Sequence, residues 1–84
     1  MPYIKEEDRK YIAPALNELL EYLTDNDGMI NYVITNIINS VYGSGGYAKY
    51  NRAMGVLDCV AREFYRRQVV PYEEEKIREN GDVY

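Results

Sequence analysis

The sequence predicts an all-α fold: three main helices and a short C-terminal helical arm, forming a small bundle suited to homo-oligomerisation. Three observations predict it. Apolar residues recur at three- and four-residue intervals along most of the chain. Turn-forming residues concentrate at 24–28 and 43–46. The chain has 84 residues, enough for one core and no more, so it reads as a single domain, 1–84, with 72–84 as its arm.

The first helix spans about Lys5 to Leu23, with Ile12, Leu16, Leu19, Leu20 and Leu23 on one face. Pro14 lies within it. Proline is comfortable only in a first turn, so the expectation is a short lead-in, Glu6 to Tyr11, and a main helix beginning near Pro14. Thr24, Asp25, Asn26, Asp27 and Gly28 form a turn, and Asp27 is the expected N-cap of the next helix. That second helix, about Gly28 to Tyr42, carries the stripe Ile30, Val33, Ile34, Ile37, Ile38 and Val41. From Met29 to Ala48 there is no charged residue. An exposed helix normally carries Lys and Glu on its wet side, so the amide face of Asn31, Thr35, Asn36, Asn39 and Ser40 points to an interface. Asn31, Thr35, Asn39 and Tyr72 are the candidate interface residues; solvation of the amide face is the alternative reading.

The loop Gly43-Ser44-Gly45-Gly46 leads to a third helix, about Ala48 to Val70, with Ala53, Met54, Leu57, Val60, Ala61 and Phe64 as its inner stripe. Cys59 beside that stripe reads as a buried structural thiol. Asp58–Arg62 and Glu63–Arg67 are i,i+4 pairs in the favourable order. Pro71 should end or kink the helix and leave Val70 extended. Residues 72–80 then form a terminal helix, with Glu73, Glu74 and Glu75 at its positive end and Gly81 just past it.

Composition removes whole classes of function. There is no histidine, which takes away the usual general base and most zinc or haem sites. One cysteine permits neither an internal disulfide nor a cysteine metal cluster. The expectation is a non-enzyme with no catalytic residue, no metal and no cofactor. Net charge is −4, which opposes non-specific nucleic-acid binding. No run approaches the length of a membrane span, and the charged opening MPYIKEEDRK does not read as a signal peptide, so a cytoplasmic setting is expected. Without disulfide or metal, association of copies is the remaining common support for so small a core.

Charge is distributed in blocks: −4 over residues 1–28, zero over 29–48, +3 over 49–67 and −3 over 68–84. The basic block supplies the candidate ligand-binding residues: Lys49, Arg52, Arg62, Arg66 and Arg67, with Tyr47, Tyr50 and Tyr65 beside them. Arginines take anions in bidentate fashion, and tyrosine rings stack on bases. The competing reading is that Asp58, Glu63 and Glu73–Glu75 neutralise the same arginines, within the fold or across a subunit interface. The glycine loop is either a backbone nest for phosphate or a connection that uses glycine for positive φ. It lacks the lysine-serine pair of a P-loop.

The stretch from Met54 to Cys59 (MGVLDC), then Glu63-Phe64-Tyr65-Arg66-Arg67, Pro71-Tyr72-Glu73, and the tail from Lys76 to Tyr84 (KIRENGDVY) resemble a small uncharacterised family common in phage and prophage genomes. The opening Met1-Pro2-Tyr3-Ile4-Lys5 and the stretch from Asn31 to Thr35 share its style, while residues 42–50 depart from it. The resemblance implies a viral setting in a bacterial cell and supplies no catalytic residue. Three functions remain open. The first is a homo-oligomeric sponge for a small anionic, nucleotide-derived immune signal of the host. The second is a protein–protein adaptor or inhibitor of a host protein. The third is a structural or DNA-associated helical protein, which the net charge disfavours.

Overall fold

The computed structural model describes residues 3–84, and Met1 and Pro2 of the opening lie outside the described residues. All regular structure among these residues is helical, arranged as three helices. α1 is Glu6–Tyr22, α2 is Asp27–Tyr42, and the third helix comprises α3, Tyr47–Phe64, and α4, Val70–Asn80, joined by a wide π turn, Tyr65–Val69. The chain divides into two units, Met1–Ile37 and Ile38–Tyr84.

In the first unit, α1 begins without a side-chain cap. Glu6, Glu7 and Asp8 occupy its first turn, where negative charge opposes the positive end of the helix dipole. The Arg9 guanidinium donates to the Ile4 carbonyl at 2.9 Å and ties the lead-in to the helix. The expected break at Pro14 does not occur, and α1 runs through it. Proline removes one backbone donor, so the carbonyl of Lys10 goes without its usual partner. The flanking Ala13, Ala15, Leu16 and Glu18 are strong or adequate helix formers that carry the helix past the defect.

The start of α2 differs from expectation by one residue. Asn26, not Asp27, caps it: the Asn26 side-chain oxygen accepts the Met29 N–H at 2.9 Å, and the Asn26 carbonyl accepts from Ile30 at 3.0 Å. Asp27 becomes the first helical residue, where its carboxylate still faces the helix's positive end.

In the second unit, the connection at 43–46 uses glycine where geometry requires it. Gly45 and Gly46 have φ of 120° and 88°. A side chain on Gly43 would run into the Asn39 carbonyl, which accepts the Gly43 N–H at 2.9 Å. From Tyr47 the helix runs on to Asn80, correcting the expectation of an extended Val70 and a break at Pro71. Val70 is helical, with φ −59° and ψ −49°. The physical reason is the π turn. The Val70 N–H reaches back five residues to the Tyr65 carbonyl. A proline ring in a regular helix strikes the carbonyl four residues before it, here that of Arg67, and a wide turn just ahead of Pro71 opens the room it needs. Gly81, at φ 85°, then ends α4 as expected, its N–H donating to the Ile77 carbonyl at 2.8 Å.

Burial departs most from expectation. Among the described residues only Ala53, 6% exposed, is buried. Ile12, Leu16 and Leu20 of α1, Ile34, Ile37 and Val41 of α2, and Met54, Val60 and Phe64 of α3 are all exposed. The side-chain periodicity is helical as read, but the faces it creates have no cover within their own unit. Cys59 is exposed as well, which corrects the reading of a buried thiol.

Asn26→Ala removes the one side-chain cap of α2, with an expected cost of about 1 kcal/mol, whereas Asn26→Ser retains most of the helix. Urea unfolding followed by circular dichroism, on both variants, checks the difference.

Candidate interaction surfaces

The basic block sits on the third helix, and three of its arginines, Arg62, Arg66 and Arg67, already have carboxylate partners. Arg62 Nε donates to Asp58 Oδ2 at 2.7 Å. Glu63 takes two arginines, with Arg66 on Oε2 and Arg67 on Oε1, both at 2.9 Å. Helix spacing produces this directly, because residues three and four apart stand over one another. The two i,i+4 pairs expected from sequence are therefore present, and an i,i+3 pair joins them. The like charges of Arg62 and Arg66 are separated by carboxylates of their own helix, so no external anion is needed to hold them apart.

The electrostatic consequences follow the contacts. The hydrogen bond from Arg66 holds the Glu63 carboxyl below the ordinary glutamate range, opposed by partial desolvation and aided by the charges of Arg66 and Arg67. Arg62 is shifted upward, first by its hydrogen bond to Asp58 and then by that residue's charge. All these pairs are substantially open to water, where an ion pair contributes little to stability.

The eight candidate ligand residues do not converge. Tyr47 and Arg67 are separated by about 30 Å of helix at 1.5 Å per residue. Tyr47, Tyr50 and Tyr65 are exposed. The ring beneath Arg52 is Tyr42, with its centroid 5.8 Å from the guanidinium carbon, rather than any of those three. An open depression of about 490 Å³ lies elsewhere, lined by Tyr3, Ile4, Lys5, Glu6 and Arg9.

On α2 the amide face is partly satisfied within its own helix. The Thr35 hydroxyl donates to Asn31 Oδ1 at 3.3 Å, Asn36 Nδ2 donates to the Tyr32 carbonyl at 2.8 Å, and the Asn39 carbonyl is taken by Gly43. Asn31, Thr35 and Asn39 are exposed, as is Tyr72, whose ring carries the Lys76 ammonium 5.5 Å from its centroid. The acidic run on α4 does not reach the arginines of α3. Glu75 pairs with Arg78 and Lys76 with Glu79, while Glu73 and Glu74 make no ion pair among the described residues. Lys49 and Arg52 make none either.

Sequence reasoning missed the outward role of Met54, Val60 and Phe64, which are 66%, 57% and 62% exposed. Their spacing marks a face but carries no information about what covers it. The signal that was present is that this face bears no charge, whereas Arg62, Asp58 and Arg66 line other sides of the helix.

These features define a small all-helical protein whose surface is dominated by uncovered apolar stripes and self-paired charges. No described helix is long and apolar enough to cross a membrane. The chain belongs to the family described as a domain of unknown function, DUF6899, whose model matches residues 1–83. Neither a curated protein nor a solved structure matched it.

Because its folded pKa is lowered, the Glu63 carboxylate supports α3 above the ordinary glutamate range, and that support is lost as pH falls through the lowered value. Carboxyl NMR titration of wild type and Arg66→Gln checks this, with the Glu63 inflection expected to move upward in the variant.

Proposed function

We propose that this protein is a non-enzymatic protein–protein interaction module that works as a homo-oligomer, closing its helices into a bundle between copies. One observation carries the reading: Met54, Val60 and Phe64 lie open on α3, and among the described residues a single alanine is buried. Apolar area removed from water contributes roughly 25 cal/mol per Å², and a chain of this length has few other sources of stability. Association supplies the missing burial, and the uncharged face of α2 offers a further surface for the assembly to present to a protein partner. The resemblance to phage and prophage proteins fits a module acting on a host protein in the bacterial cytoplasm.

Sequestration of a small anionic nucleotide has weaker support. Arg62, Arg66 and Arg67 are already engaged with Asp58 and Glu63, and the candidate tyrosines do not gather around them. A DNA-associated role gains nothing from the geometry, since the basic block is interleaved with its own carboxylates.

Light scattering coupled to size-exclusion chromatography tests the proposal. Wild type should elute at a multiple of its 9.8 kDa chain mass. Phe64→Glu should shift it toward the single chain, because a charge placed in a desolvated contact is strongly unfavourable. A wild type that is a single chain at high micromolar concentration, with cooperative unfolding, would overturn the reading. Calorimetric heat with a cyclic dinucleotide, abolished by Arg62→Gln, would restore the nucleotide alternative.

A further inference from the structure

Building on the self-association just proposed, we infer that two copies pair antiparallel along residues 47–80, with Lys49 and Arg52 of each copy against the Glu73–Glu75 segment of the other. The inference rests on the continuity of the third helix, which sequence alone did not give. Because the π turn carries the helix past Pro71, the basic block and the acidic block lie in series on one rod. At 1.5 Å per residue that rod is about 50 Å long. Its net charge is +3 over 49–67 and −2 over 68–80.

The charges in the middle of the rod are spent locally: Asp58 on Arg62, and Glu63 on Arg66 and Arg67. Those near the ends are not. Lys49, Arg52, Glu73 and Glu74 make no ion pair among the described residues, and Glu75 is held only by an exposed neighbour, Arg78. A rod with an unspent positive end and an unspent negative end is self-complementary only when its copy is reversed. A parallel pair sets Lys49 and Arg52 against their own equivalents and the glutamates against theirs, which is repulsive at both ends.

The charged ends set the register, and the apolar stripe of α3 lies along the same rod. Tyr50, Ala53, Leu57, Val60 and Phe64 alternate at spacings of three and four, the seam of a two-helix pair. With a twofold axis near Arg62, Phe64 of one copy lies across from Val60 of the other. The same axis sets Lys49 opposite Glu75 and Arg52 opposite Tyr72, one residue from Glu73. The acidic segment then also flanks the N-terminus of the other copy's α3, where the helix dipole adds attraction. Such an interface is isologous, so each pairing occurs twice.

A charge swap tests orientation separately from association. One variant carries Lys49→Glu and Arg52→Glu, and the other carries Glu73→Lys, Glu74→Lys and Glu75→Lys. These positions are solvent-accessible, and circular dichroism checks that both variants remain helical. Sedimentation equilibrium at low salt should show each variant alone self-associating about tenfold or more weakly than wild type, the sum of several modest ion-pair terms. Mixed one to one, the two should form a heterodimer of wild-type strength, because both ends are then complementary. A Glu73→Gln, Glu74→Gln, Glu75→Gln variant should fall between wild type and the swaps. A wild type that associates but responds to neither swap, or variants that stay weak when mixed, would overturn antiparallel pairing and leave self-association standing. Such an assembly seats the α3 face on α1 or α2 of a neighbour. A single-chain wild type would remove both.

Discussion

Among the described residues, backbone hydrogen bonding between near neighbours in sequence holds each helix in shape, with little burial inside either unit to add to it. Helices α1, α2 and the rod at 47–80 are each closed by their own i to i−4 bonds, with a cap at Asn26, a wide turn at 65–69 and a glycine stop at Gly81. Isolated helices of this length are marginal in water, because the ordering of each turn is offset only weakly by its own hydrogen bond. Every other feature follows from that shortage of burial. Open stripes of Leu, Ile, Val and Phe are the feature on which the proposed association rests.

Electrostatics in the chain is mostly local and mostly modest. Carboxylates three or four residues from arginines neutralise them, which keeps the rod from repelling itself along its length. Each such pair is wet and of small energetic consequence. Its structural consequence is larger, because it decides which charges are left over. Those near Lys49 and Glu73 remain available, and the distance between them is fixed by the helix.

The sequence was a good guide to helices and a poor one to their limits. Periodicity located all three helices, the glycine connection and the stop at Gly81, because those signals are local and steric. Proline misled twice. Pro14 and Pro71 predict boundaries, yet α1 passes the first and a π turn accommodates the second, an adjustment no residue pattern announces. The cap moved one residue, since Asn26 and Asp27 are both competent and only backbone geometry chooses between them. For the candidate sites, the ion pairs of Arg62 and Arg67 were legible from spacing alone. The candidate tyrosines and arginines do not form one pocket, because the helix strings them along its axis: Tyr47 and Tyr65 stand about 27 Å apart. Burial was the largest misreading. Ala53 is covered, while Val60 and Phe64 of the same stripe are open.

The open position of Cys59 has a practical bearing on handling the protein. A lone solvent-facing thiol one residue from Val60 can oxidise between molecules in air, producing a covalent dimer unrelated to the proposed association. Preparations therefore call for a reductant or a serine in its place. The same thiol accepts a single maleimide dye at a defined point on the rod, a ready label for following exchange of subunits by fluorescence.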